Sequence, residues 1–295
     1  MQIIVDDNSS FLPPQISQSA IDIVGGALQS ITTMEDKFVV NDTLYYRETK
    51  PGKFMPCVAN SAYFLSSKFQ AFLDSHANAN GETTIKGESI DGLITLPYQG
   101  LGQQIADKNR LLEVLHGFIE DEKLSNSSIY TLFPVFYGMF VERSVFNTER
   151  LQGKFQSLFK SQSVSTNFRI GVEFETGNIA SSFRALNKLY VLFQKGEIEA
   201  GILVTSIDKA RSSTRIWPQT NRNGSLQELK SRKYKDQVSF PLISIGFAPD
   251  GFSEDAPLLG RNGELLRIHD TGEIHSSGIY KILKFGDEPE ILLPL

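Results

Sequence analysis

The sequence predicts an α/β fold: a central sheet covered on both faces by helices. Three observations carry that expectation. Phe168 to Glu175 alternates apolar and polar residues as a strand does. Ile179 to Phe193 then places Ile179, Phe183, Leu186, Tyr190 and Phe193 on one stripe of an amphipathic helix. Ala200 to Thr205 and Pro241 to Phe247 are short, largely apolar runs, as strands buried on both faces should be. Strand, helix, buried strand, short helices and buried strand together describe a doubly covered sheet.

The remaining elements follow from the same periodicities. A short strand spans Gln2 to Val5, a helix runs from about Gln18 to Leu28, a strand covers Lys37 to Tyr46, and a further helix covers Ala59 to Phe72. Ser75 to Thr84 is small and polar with Gly81 inside it, the most linker-like stretch. Residues 103–120 carry Ile105, Leu111, Leu112, Leu115, His116 and Ile119 at helical spacing. Asn126, Ser127 or Ser128 caps a next helix holding Tyr130, Phe133, Phe136 and Phe140 and running to about Phe146, with Pro134 a kink or a first turn. Leu266 to Tyr280 reads as a hairpin turning at Asp270-Thr271-Gly272. The expected organisation is an N-terminal extension over 1–124, a core over 125–260 and a C-terminal hairpin segment over 261–295.

Composition narrows the function classes. The 295 residues are 40% hydrophobic and 21% charged with mean hydropathy −0.17, which disfavours disorder, collagen-like sequence and coiled coil. Cys57 stands alone, so it makes no intrachain disulfide, and the four histidines have no zinc spacing. Neither a signal peptide nor an apolar run of membrane-spanning length is evident, so a cytoplasmic protein with no membrane partner is expected. The net charge of −5 hides an asymmetry: residues 141–235 hold 16 Lys and Arg against 8 Asp and Glu, and the rest of the chain is acidic. A basic centre between acidic flanks suits nucleic acid confined to a cleft.

Glu173 and Glu175 stand two apart on a strand, so both carboxylates face one way while Phe174 faces the core. Such a pair inside a sheet calls for a cation between the acids or a retained proton. Mg²⁺ takes a few carboxylates plus water and phosphate oxygens, so the pair suits metal-assisted phosphodiester hydrolysis. An exposed edge strand would carry the same pair without any chemistry. Thr176-Gly177-Asn178 reads as a turn and helix start, and Ser181, Arg184 and Lys188 follow on the exposed stripe, where they would meet phosphates or base edges or simply face water.

The run Glu173-Phe174-Glu175-Thr176-Gly177-Asn178-Ile179 closely resembles the active-site strand of the BamHI family of type II restriction endonucleases, the branch of PD-(D/E)xK nucleases in which glutamate replaces the lysine. The likeness continues at Asn187-Lys188-Leu189, Lys195-Gly196-Glu197-Ile198, the strand from Ala200, Thr220-Asn221-Arg222, Glu228-Leu229, Ile245-Gly246-Phe247 and Ala256-Pro257-Leu258, over roughly 137–260. The resemblance implies a restriction-endonuclease-like central mixed β-sheet, Mg²⁺, double-stranded DNA as substrate and a homodimer. It implies Glu173 and the Phe174 carbonyl as metal ligands, Glu175 in the lysine position, and Glu142 as an upstream helix-borne carboxylate. The family also has an aspartate seventeen residues ahead of the first Glu, a place held here by Gln156. An amide is a weaker Mg²⁺ ligand. Three explanations are open: Glu149 supplies the acid, Gln156 completes a weaker site, or the chain binds DNA with impaired or lost cleavage. DNA reading is implied for Asn178, Ser181 and Arg184 on the helix and for Asn221 and Arg222 on a later loop.

Other residues carry the blander expectations. His269 and His275 belong to hairpin surface, Trp217 beside Pro218 to packing, Cys57 to the core, Asp6 and Asp7 to solvent, and Tyr45, Tyr46, Tyr63 and Phe64 to packing.

Overall fold

The computed structural model describes residues 1–57, 59–143, 146–148, 151, 153–176, 179–207, 224–234, 240–286 and 290–295. The helices are α1 (Pro14–Gln29), α2 (Ala62–Ser75), α3 (Leu111–Asp121), α4 (Ile129–Tyr137), the single turn α5 (Gly153–Gln156), α6 (Ile179–Gln194) and α7 (Leu226–Ser231). The strands are β1 (Gln2–Asn8), β2 (Val39–Val40), β3 (Tyr45–Lys50), β4 (Lys53–Cys57), β5 (Ala79–Asn80), β6 (Thr83–Ile85), β7 (Glu88–Ile90), β8 (Gly92–Ile105) and β9 (Phe159–Glu175). They continue with β10 (Ala200–Ser206), β11 (Leu242–Ala248), β12 (Gly251–Phe252), β13 (Leu258–Leu259), β14 (Leu265–Leu266), β15 (His269–Ile274), β16 (Tyr280–Lys284) and β17 (Ile291–Pro294).

Among the described residues six strands form a mixed central sheet in the order β1-β11-β10-β9-β8-β5. β10 runs parallel to both β9 and β11, whereas β1 and β8 pair antiparallel with β11 and β9. Every residue of β10 is buried, as its unbroken apolar run requires. Helix α6 lies on one face, admitted by glycines: a Cβ on Gly171 or Gly201 would come within 2.9 or 3.0 Å of Leu189. On the other face Phe69 of α2 packs against Phe174, which stacks on Phe247. The sheet is therefore the α/β, helix-flanked mixed sheet that the sequence predicts. The expected boundary at 124/125 runs through it, because β1, β5 and β8 all precede that point.

The dominant feature is the β8–β9 hairpin, paired from Gly92↔Val172 to Ile105↔Phe159. Residues 103–105 belong to this ladder rather than to the helix expected over 103–120; α3 begins only at Leu111, after a 3-10 turn capped by Asp107. Similarly the helix expected to reach Phe146 ends at Tyr137 and continues as a π-helical turn, Gly138–Arg143. The far end of the hairpin is filled by rings, with Phe140 against Phe159, Phe136 and Phe11. Ser75 to Thr84 is ordered instead of linker-like: Gly81 donates its N–H to Asp74 Oδ1 at 2.7 Å, and a Cβ there would strike that carboxylate at 2.8 Å.

A second sheet, β15-β16-β17-β3-β4, joins residues 45–57 to the C-terminal segment over its own small core of Tyr45, Leu258, Leu266, Leu283, Phe285 and Ile291. β15 and β16 form the expected hairpin, but the chain reverses at residues 275–279 and not at Asp270-Thr271-Gly272. Gly272, at φ +74°, instead makes a bulge within β15, its N–H held by Asp270 Oδ1 at 2.9 Å. His275 lies 3.4 Å from Glu48 on this sheet. Among the described residues no helix is long and apolar enough to cross a membrane.

Candidate active site

Because β9 alternates, Gly171, Glu173 and Glu175 face α6 while Phe174 fills the opposite core. Glu173 is only 2% exposed. Burial pushes its carboxyl up from an ordinary 4.5 to about 7; the Lys188 ammonium pulls it down, and Asp91 and Glu175 push it further up. Glu175 is half-buried at the strand's end, opposite Thr205 of β10.

The partner of this pair comes from the other arm of the hairpin. Asp91 stands one residue before β8, and the register Gly92↔Val172 carries it to the level of Glu173. Its Oδ2 accepts the N–H of Phe174 at 2.8 Å, and Gln70 of α2 donates to Oδ1 at 3.4 Å. Burial raises the Asp91 carboxyl, while the Phe174 N–H and Lys188 lower it. The next residue must be glycine, since a Cβ at Gly92 would lie 2.5 Å from Leu73 Cδ1. Asp91 and Gln70 escape a reading of the sequence alone because 82 residues separate Asp91 from Glu173. The one local signal is an Asp-Gly step between Ile90 and the apolar alternation of Ile94, Leu96 and Tyr98.

Lys188, on the exposed stripe of α6, turns inward. Its Nζ lies 2.7 Å from Glu173 Oε1 and donates to the Ser89 carbonyl at 2.6 Å. The ammonium approaches Oε1 outside hydrogen-bond angles, so that buried oxygen remains without a hydrogen bond among the described residues. Hard oxygens of Asp91 and Glu173, the adjacent Phe174 carbonyl and this unsatisfied lone pair suit Mg²⁺, which needs only one or two carboxylates beside water and phosphate. Among the described residues no three His, Cys, Asp or Glu groups are gathered for a metal. A two-carboxylate site, completed by Glu175 through water, fits that count.

The other expected residues are placed as follows. Gln156 is exposed at the end of α5, ahead of the far end of the hairpin. From Phe159 to Glu173 the strand runs on the order of 45 Å, so the structure does not bring Gln156 to Glu173. Glu142 is exposed on the π-helical turn, whose Arg143 donates to the Phe193 carbonyl at 2.7 Å, at the end of α6 remote from the carboxylates. Arg184 is exposed and donates to Ser181 Oγ at 3.2 Å on the N-terminal half of α6. Asn178, Asn221, Arg222, Trp217 and Glu149 lie outside the described residues. Among the described residues, the Gly224 carbonyl accepts from Ser182 Oγ at 3.1 Å and Thr205 Oγ1 at 2.8 Å. Both hydroxyls are fully buried, so Gly224 is held beside α6 and β10.

Residues 1–264 match the family described as restriction endonuclease BamHI. Over 138 residues the chain is 28% identical to the type II restriction enzyme BamHI of Bacillus amyloliquefaciens, 46% of this chain and 62% of that protein. The chain thus spans about three-fifths of that relative's length. With the family match covering all six strands of the central sheet and the Asp91, Glu173 and Glu175 positions, this chain belongs to the BamHI restriction endonuclease family.

Proposed function

We propose that the chain is a type II restriction endonuclease that cleaves double-stranded DNA at a specific sequence, with Mg²⁺, as a homodimer. The observation that carries this reading is the placement of Asp91, Glu173 and Glu175 at one end of the β8–β9 hairpin, with Glu173 buried and the half-buried Asp91 tied to the Phe174 N–H beside it. Asp91 takes the acidic place that the family resemblance aligns with Gln156. The neutral amide at 156, remote from Glu173, then has no bearing on cutting.

Asp91, Glu173 and the Phe174 carbonyl would hold the metal. When bound, Mg²⁺ supplies Lewis-acid polarisation of the phosphate, a more acidic water and charge compensation at the leaving oxygen. Glu175, nearer solvent than Glu173, orients the attacking water and takes its proton. The new P–O bond forms in line with the breaking bond to the 3′ oxygen, which leaves with the electron pair, takes a proton from solvent and yields 3′-hydroxyl and 5′-phosphate ends. Ser181 and Arg184 face outward from α6 and, with Asn178, Asn221 and Arg222, serve base and phosphate recognition. A palindromic site would set two subunits about a two-fold axis, each cutting one strand.

Incubation of the purified protein with phage-length DNA and Mg²⁺ tests the reading. Discrete fragments are expected. Retarded but uncut DNA would reduce the reading to binding on a nuclease scaffold, and neither effect would remove DNA from the account.

A further inference from the structure

We infer that Lys188 is a built-in counter-ion for the carboxylate site, holding the place between Glu173 and strand β7 until a divalent cation takes it. The inference rests on the metal reading above and adds to it a residue on another element that competes with the metal.

The geometry points to a placeholder and not to an ordinary ion pair. Lys188 lies on α6, two and a half turns from its start, on the stripe where helices of this kind send charge to solvent. Its side chain is nevertheless only 25% exposed and that of Glu173 only 3%. The ammonium has two partners: Glu173 Oε1 at 2.7 Å and the Ser89 carbonyl at 2.6 Å. Only the second is a hydrogen bond in angle as well as distance. Toward Glu173 the lysine acts as a point charge pressed against an oxygen whose lone pairs are still unspent.

That combination has a physical consequence. A buried carboxylate beside Asp91 needs a compensating charge to stay ordered without metal. Lysine, a compact charge on a flexible four-carbon stem, can give up one contact and keep the other; an arginine fork would be committed to both. Ser89 therefore serves as a parking acceptor. Its hydroxyl is in turn tied to Glu82 Oε1 at 3.2 Å, and its backbone is paired with Thr84 of β6, which fixes the strand carrying it. When a cation engages Glu173, the ammonium withdraws toward Ser89 and remains close enough to meet a phosphate oxygen of bound DNA.

Two cations that exclude one another from the same oxygen are negatively coupled ligands, and removing one strengthens the other. The test is direct metal binding by the full chain, with no turnover involved. Mn²⁺ is titrated by electron paramagnetic resonance, and thermal unfolding is followed in chelator and in saturating Mg²⁺, for wild type, K188M, K188Q and K188R. The Gln variant keeps a donor without the charge, so a folding defect in one neutral variant leaves the other informative. Both neutral variants are expected to bind Mn²⁺ roughly ten-fold tighter than wild type. They should also melt lower in chelator and gain more from Mg²⁺, whereas K188R, committed to both contacts, should bind Mn²⁺ more weakly than wild type and gain less. A purely structural lysine would lower the melting temperature equally with and without metal and leave the Mn²⁺ constant unchanged, which overturns the placeholder but not the metal site. Weaker Mn²⁺ binding by the neutral variants overturns it as well. No Mn²⁺ binding by any of the four proteins overturns the metal reading itself, and the placeholder with it.

Discussion

Asp91 accepts the backbone N–H of Phe174 at 2.8 Å, across 83 residues of sequence. The bond clips the residue that precedes β8 to the peptide between Glu173 and Glu175. It leaves the acidic groups of two strands level with each other, and neither can move without disturbing the backbone of the other. Helices α3 and α4, which lie between these two points in sequence, pack at the opposite end of the same hairpin.

The metal-free protein should lose stability as pH rises. Glu173 is raised from 4.5 to about 7, so between those values the folded chain binds more protons than the unfolded one. Stability therefore falls with rising pH through that window and levels off above it, by about 3 kcal/mol for the full shift. Relative to wild type, Glu173→Gln should gain little at pH 5 and most at pH 8, as read from urea unfolding in chelator. A gain independent of pH would contradict the assigned environment.

Magnesium should remove that dependence. A cation on Glu173 favours its ionised form, so saturating Mg²⁺ at pH 8 is expected to raise the melting temperature of wild type and leave Glu173→Gln nearly unmoved. Equal shifts for both proteins would place the metal elsewhere.

Gly92→Ala probes the close approach at the hairpin's start. Its methyl would meet Leu73 Cδ1 at 2.5 Å and Val172 Cβ at 3.4 Å. An overpacking cost of about 1–3 kcal/mol is expected in chemical denaturation. Because the strain falls one residue from Asp91, cleavage should drop more than stability alone explains.

Ser182 and Thr205 hold the Gly224 carbonyl from two sides. Removing both donors, in Ser182→Ala with Thr205→Val, leaves a buried carbonyl unpaired at a cost of about 1–3 kcal/mol. Under the proposed function the double variant should also lose discrimination between target and random DNA. Unchanged discrimination would separate this anchor from the recognition loop.

Arg222→Ala is expected to weaken binding to the target sequence by about 1–3 kcal/mol while sparing random DNA. Equal weakening on both would show a phosphate contact only.

Much of the core was legible because its signals are local. The Glu173–Glu175 strand, α6 and the buried strands from Ala200 and Pro241 each declare themselves within a dozen residues by alternation, helical stripe or apolar run. Asp91 was not legible, because its place depends on the register of a hairpin whose arms are far apart in sequence. The strand that positions it is poorly marked as well: Gln99, Gly100, Gly102, Gln103 and Gln104 blur the alternation, and Pro97 is a residue strands seldom carry. The resemblance, carried over without a gap, therefore points to Gln156, which the ribbon carries away. The turn signal at Asp270-Thr271-Gly272 predicts a reversal, but the ladder to β16 absorbs the positive φ of Gly272 as a bulge. Lys188 shows the converse. Helical periodicity placed it on a solvated stripe, and only the buried carboxylate explains its inward turn.

The central claim is that Asp91, and not residue 156, completes the acidic site with Glu173 and Glu175. The most direct measurement compares Mg²⁺-dependent cleavage and gel retardation by Asp91→Asn and Gln156→Ala on the same DNA. Asn keeps an acceptor for the Phe174 N–H, so Asp91→Asn should fold and retard DNA, yet cut at least about 100-fold more slowly. Gln156→Ala should cut as wild type does. Preserved cleavage by Asp91→Asn together with its loss in Gln156→Ala would contradict the account.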